Sequence, residues 1–252
     1  MGHREVHLQA ENKSKQTVST AVQPPRSSGN SFLKSWAWKR EHRPDRDRFE
    51  LPYKHKLIID GKQSILSIQQ RPFKTTGFAS TVWDSAIVLS KYIERSPTLV
   101  AGKRCLELGA GCGLPGIVSA TLGAKTVVLT DLPDNLPLLR NNAAANHVAH
   151  IVSVESLVWG SQPAHLDAPY DIVIATDVMY IVEALGPLIK TMKYLSEPKT
   201  KVLLAYGRNR QAEDMFVAKI APHFVMERVA DSDLDDLYQC VDVDVYQLQL
   251  KR

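Results

Sequence analysis

The stretch from Cys105 to Gly116 reads Cys-Leu-Glu-Leu-Gly-Ala-Gly-Cys-Gly-Leu-Pro-Gly. An apolar run carries Glu107 near its end, then glycine at three alternate positions, Gly109, Gly111 and Gly113. Glycine lets the backbone turn sharply and lets a ligand lie against bare main chain. Two kinds of ligand suit the run. Residues 111–116 spell G-x-G-x-x-G, a dinucleotide signature, and Asp131 stands 20 residues after Gly111, as a ribose-binding acid does in that scheme. Glu107 argues the other way. A carboxylate beside the loop repels pyrophosphate, whereas a phosphate-free ligand with a cationic amino group makes it useful. The plainer alternatives are a solvated strand-end charge for Glu107 and a helix N-terminal acid for Asp131.

Elements that would position these residues follow from the apolar periodicity. Leu57 to Ile59 and Ile65 to Ile68 flank Asp60-Gly61, a hairpin signal. The spacing predicts a helix over 81–93. Strands are then expected over 104–108, 126–130, 151–154, 171–176, 201–206, 223–229 and 241–250. Helices are expected over 116–122, 136–146, 182–195 and 211–220. Alternation of this kind implies a doubly wound α/β fold, with a mostly parallel sheet covered on both sides. The last two strands lack a helix between them, which predicts a terminal hairpin and one antiparallel strand.

Residues 1–47 are polar, with Pro24-Pro25, Ser27-Ser28-Gly29-Asn30 and mixed charges, and are expected to be a disordered tail. Phe32, Leu33, Trp36 and Trp38 are its exception and suit docking on the domain or a partner. Residues 48–100 would form the hairpin and leading helix, and 101–252 the ligand-binding core. The net charge of +4 sits in residues 1–50, with 10 basic and 6 acidic side chains, leaving 21 of each in the rest. A neutral folded part disfavours nucleic acid as a partner. No apolar stretch of about 18 residues exists, so no membrane span is expected. Cys105, Cys112 and Cys240 form no CxxC pair and read as buried thiols; the sparse count fits a reducing, cytoplasmic setting. None of the eight histidines makes a metal pair or a nucleophilic triad, and no metal is expected.

The glycine run with Glu107 resembles motif I of class I S-adenosylmethionine-dependent methyltransferases. Residues 82–89 (Val-Trp-Asp-Ser-Ala-Ile-Val-Leu), Val158-Trp159-Gly160 and Asp177-Val178-Met179-Tyr180 follow in the order seen in methyltransferase family 16. The resemblance covers about residues 55–250 and is nearest to the branch that modifies chaperone lysines. It implies a Rossmann-like sheet of seven strands and S-adenosyl-L-methionine as cofactor. Trp83, Glu107, Gly109, Gly111, Gly113, Asp131, Leu132 and Trp159 would then hold the cofactor, with Asp131 on the ribose hydroxyls and Trp159 beside the adenine. Asp177 and Tyr180 become the catalytic pair.

The implied reaction is methyl transfer to a protein lysine. A free lysine, with a pKa of ~10.4, arrives protonated. Asp177 would bind and orient the amine, and Tyr180 would wall the slot with an aromatic ring. Val178-Met179 replaces the Pro-Pro that grips planar nitrogens in DNA and amide methyltransferases, which favours a flexible aliphatic amine. A helix cap is the plainer role for Asp177, a core position for Trp159, a cap for Asp84 and solvation for Arg208. The expected partner is a protein such as a heat-shock chaperone or an ATPase, with the enzyme a monomer in the cytoplasm and the nucleus a second compartment. A nucleic-acid or small-molecule methyltransferase, a dinucleotide-dependent oxidoreductase and a non-catalytic scaffold are the competing readings.

Overall fold

The computed structural model describes residues 40, 43–44, 46–59, 61–72, 77–162, 164–207 and 212–252. Phe32, Leu33, Trp36, Trp38 and Arg208 lie outside the described residues. Strands β1 (Tyr53–Ile59) and β2 (Lys62–Ile68) form an antiparallel hairpin with Ile59 opposite Lys62. The main sheet holds β3 (Arg104–Leu108), β4 (Thr126–Asp131), β5 (Val152–Ser156), β6 (Ile172–Thr176), β7 (Lys201–Gly207), β8 (Phe224–Arg228) and β9 (Val243–Leu250). Their spatial order is β5-β4-β3-β6-β7-β9-β8. The first five run parallel, and β9 runs antiparallel to both β7 and β8. The doubly wound sheet, its single reversed strand and the separate hairpin all match the expectation. Chain order reverses at β3, and the carboxyl ends of strands beside such a point open the crevice where α/β folds bind ligands.

Helices α1 (Asp84–Arg95), α2 (Leu114–Thr121) and α3 (Leu136–Ala145) pack on one face, and α4 (Leu185–Leu195) and α5 (Glu213–Ile220) on the other. Each face has its own core. Cys105, Leu129, Ile174 and Leu203 meet Ile87, Ile117 and Leu139 on one side. Leu106, Val173, Leu204 and Tyr206 meet Leu188, Met192 and Phe216 on the other. The central strands β6 and β7 are therefore near-continuous apolar runs, as burial on both faces requires.

Helix α1 starts at Asp84, later than the periodicity predicts. Thr81 and Trp83 are extended, because the Val82 N–H donates to Gln70 Oε1 (2.9 Å) and its carbonyl accepts from the Arg40 guanidinium. Arg40 falls in the stretch expected to be a polar tail, yet it is only 7% exposed. The hairpin is stapled to α3 by two side-chain amides one turn apart. Asn142 Oδ1 accepts from the Gln69 N–H (2.8 Å), and Asn142 Nδ2 donates to the Gln69 carbonyl (3.1 Å). Asn146 treats Ser67 the same way, at 2.8 and 3.1 Å. All three cysteines are buried thiols outside any disulfide among the described residues, as expected.

Candidate active site

β3 runs directly into the glycine loop, which α2 ends. Gly109, Gly111 and Gly113 all have left-handed φ, between +57° and +79°. All three also lack room for a side chain; a Cβ on Gly113 would lie 3.0 Å from Leu139 and 3.1 Å from Leu129. A Cβ on Gly111 would lie 2.9 Å from the Ala79 carbonyl oxygen, and one on Gly109 would lie 3.2 Å from the Trp159 ring. The bare backbone thus admits residues 77–83, which strap across the loop, on one side and Trp159 on the other. The Cys112 thiol also donates to Ala79 O, at 3.8 Å.

Glu107, expected beside the loop, lies under it. It is 1% exposed and turned beneath the loop, with Oε2 accepting the Gly116 N–H at 2.8 Å and Oε1 buried without a hydrogen-bond partner. Burial pushes its carboxyl up to about 8, the Gly116 N–H pulls it back, and Asp131 adds to the rise. Gly116 makes this fit possible, since a Cβ there would meet Leu129 at 2.3 Å and Glu107 Oε2 at 2.7 Å.

Asp131, at the end of β4, faces the same loop. Its Oδ2 accepts the Gly111 N–H (2.8 Å) and Asn135 Nδ2 (3.1 Å), and its Oδ1 accepts the Leu132 N–H (2.7 Å). Burial raises its carboxyl above the ordinary range despite these donors. Asn135 Nδ2 also donates to the Gly111 carbonyl at 2.6 Å, so this one amide ties loop and acid together. Leu132 is exposed beside Asp131.

The lip is aromatic. Trp83 lies between Phe49 and Phe78, with centroids 6.4 and 6.2 Å away, and its Nε1 donates to the Phe78 carbonyl at 2.9 Å. Tyr180 faces Phe78 at 6.4 Å and is 55% exposed. Burial and then the Asp131 charge raise the Tyr180 phenol above its ordinary value.

Asp177 closes β6 in a left-handed conformation, φ +51°. Its N–H extends the ladder to Ala205 O (2.9 Å), Oδ1 accepts the Gly207 N–H (3.0 Å), and Oδ2 accepts the Ser85 hydroxyl (2.5 Å). Asp84, next to Ser85, pairs with Arg40 at 2.5 Å. Burial raises the Asp84 carboxyl, and the arginine offsets part of that rise. Tyr206 sits in the core, stacked on Tyr246 at 5.5 Å.

The crevice therefore gathers Glu107, Asp131 and Asp177 at the ends of adjacent strands. Among the described residues, neither Glu107 nor Asp131 makes an ion pair. Asp131, a buried acid met only by amide and backbone donors, suits a ligand with hydroxyl or cationic groups, while burial keeps Glu107 largely protonated at neutral pH.

The chain matches the lysine methyltransferase family across residues 61–223. It belongs to that family. Protein N-lysine methyltransferase METTL21A of Danio rerio is 33% identical over 170 residues, covering 66% of this chain and 78% of that one. EEF1A lysine methyltransferase 3 of Xenopus tropicalis is 32% identical over 184 residues, 72% of this chain and 82% of that one. Among solved structures, the glycopeptide N-methyltransferase MtfA complexed with sinefungin aligns at TM-score 0.53 and 15% identity, covering 65% of this chain and 94% of that one. The 16S rRNA N2 G1207 methyltransferase RsmC of T. thermophilus, in complex with AdoMet and guanosine, aligns at TM-score 0.51 and 16% identity, covering 81% of this chain and 51% of that one. These two show the shared fold.

The cofactor of this lysine methyltransferase is S-adenosylmethionine, and the residues present fit it. The dinucleotide reading of residues 111–116 falls away with that. When bound, the cofactor supplies a methyl group on a positively charged sulfur. The glycine loop offers bare backbone, Asp131 a two-oxygen acceptor for adjacent hydroxyls, and Trp159 an apolar wall. The structure brings together Trp83, the three glycines, Asp131, Leu132, Trp159, Asp177 and Tyr180 around one crevice, with Glu107 buried beneath its loop. Ser85, Asn135, Asn142, Arg40 and Gln70 were not foreseen. Only Ser85 carried a signal, lying inside the Trp83–Asp84 motif.

Proposed function

We propose that this methyltransferase acts on a lysine of a folded chaperone, ATPase or elongation factor in the cytoplasm, with Asp177 as the group that receives the amine. The supporting observation is the placement of Asp177. It is locked in φ +51° at the end of β6, its carboxylate accepting from the Ser85 hydroxyl and the Gly207 N–H, beside the exposed Tyr180 and Phe78 rings. An ammonium reaching this lip meets a fixed carboxylate and an aromatic face, which together hold a cation. A partly dry slot favours loss of the ammonium proton, and only the neutral amine has a lone pair to donate. Asp177 then serves as the orienting acceptor, and orientation alone is worth several kcal/mol of barrier. METTL21A and EEF1A lysine methyltransferase 3, both named as protein-lysine enzymes, support a protein acceptor.

The test is label transfer. Tritiated S-adenosylmethionine, a cell lysate and the enzyme should yield label on lysines of one or a few proteins. Asp177→Asn should abolish it while retaining S-adenosylhomocysteine binding by calorimetry. Label confined to RNA or to small molecules would overturn the acceptor.

A further inference from the structure

We propose that Ser85 is a positioning residue for methyl transfer, acting through the carboxylate of Asp177. The inference rests on the reading of Asp177 as the amine-receiving group. Ser85 is the second residue of α1, 1% exposed, and its hydroxyl donates across 92 residues of sequence to Asp177 Oδ2 at 2.5 Å.

Ser85 stands in the first turn of α1, with no helical turn before it, and its hydroxyl projects beyond the helix to the end of β6. This matters for the geometry of Asp177. The ladder bond to Ala205 fixes its backbone, and the Gly207 N–H holds Oδ1. The Ser85 hydroxyl engages the other oxygen, and a donor on each oxygen fixes the plane of the carboxylate.

Ser85 can do this because its own element is anchored. Arg40 grips Asp84 and the Val82 carbonyl, and Gln70 grips the Val82 N–H, so the first turn of α1 is held from three sides. A reacting group must be held to within a fraction of an ångström for its orientation to count, and supporting hydrogen bonds provide that.

The test compares wild type, Ser85→Ala, Ser85→Cys and Asp177→Asn. Three quantities are read: the rate of tritium transfer into acid-precipitable lysate protein at rising lysate concentration, S-adenosylhomocysteine affinity by calorimetry, and melting temperature. Losing a hydrogen bond to a charged group predicts a ~10- to 100-fold lower maximal rate for Ser85→Ala, with cofactor affinity kept and the melting temperature lowered by a few degrees. Ser85→Cys, of similar size and a weaker donor, should recover part of the rate. A wild-type rate in Ser85→Ala overturns the proposal. So does a loss shared equally by Ala and Cys that tracks weakened cofactor binding, since packing would then be the cause. Asp177→Asn at the wild-type rate removes the premise and the proposal with it. A lysate that wild type leaves unlabelled overturns the functional reading first.

Discussion

Replacing Glu107 by glutamine tests the electrostatics of the crevice directly. Glu107 is buried, with one oxygen on the Gly116 N–H and the other unpartnered, and its carboxyl is pushed from an ordinary 4.5 up to about 8. The folded protein thus holds a proton that the unfolded chain releases between those values. Its contribution to stability is full below pH 4.5 and is lost as pH rises through about 8. At ~1.36 kcal/mol per pH unit, that interval sets a ceiling of about 5 kcal/mol, which relaxation of the site reduces. Glutamine keeps an acceptor for Gly116 and cannot ionise. The variant should match wild type near pH 5 and exceed it by a few kcal/mol near pH 8.5, read as urea midpoints at constant slope. S-adenosylmethionine affinity should rise with pH in wild type, because a cation favours the ionised carboxylate, and should lose this dependence in Glu107→Gln. Stability curves that stay parallel from pH 5 to 8.5 would refute the reasoning.

Three further outcomes are expected. Arg40→Ala strands the partly buried Asp84 carboxylate and should cost about 2–4 kcal/mol in urea denaturation. Gly111→Ala forces a Cβ to 2.9 Å from Ala79 O at φ +58°, and should cost about 1–3 kcal/mol while weakening S-adenosylhomocysteine binding in calorimetry. Asn142→Ala removes two bonds to Gln69 and one to Cys112 O, and should lower stability by about 2–4 kcal/mol and lower cofactor affinity as well.

The sheet was legible because its strands are short apolar runs between helices of amphipathic spacing. Element order, the reversed β9 and the hairpin all follow from that periodicity. What it did not show is the route between β8 and β9, whose connection holds the turn Asp231–Asp233, or the extended run before α1. The latter depends on Arg40 and Gln70, whose bonds to Val82 span 42 and 12 residues. The site was legible where one local motif encodes it, as in the glycine loop with Asp131 and in Asp177-Val-Met-Tyr180. The depth of Glu107 was not, because it is set by Gly116 and Leu129 rather than by its neighbours in the chain. Asn142 escaped for the same reason: a single polar residue whose partner lies 73 residues away leaves no local pattern. Ser85 stood inside the 82–89 run, but its partner lies 92 residues away.

The strap over the glycine loop hangs from the hairpin, which Asn142 and Asn146 fasten to α3. Docking of the first two strands and occupation of the crevice are thus one thermodynamic unit, and linkage makes the coupling mutual. Whatever peels the hairpin away loosens the donor molecule by the same factor. Conversely, a filled crevice shields the hairpin's amides from exchange and its turn from proteases.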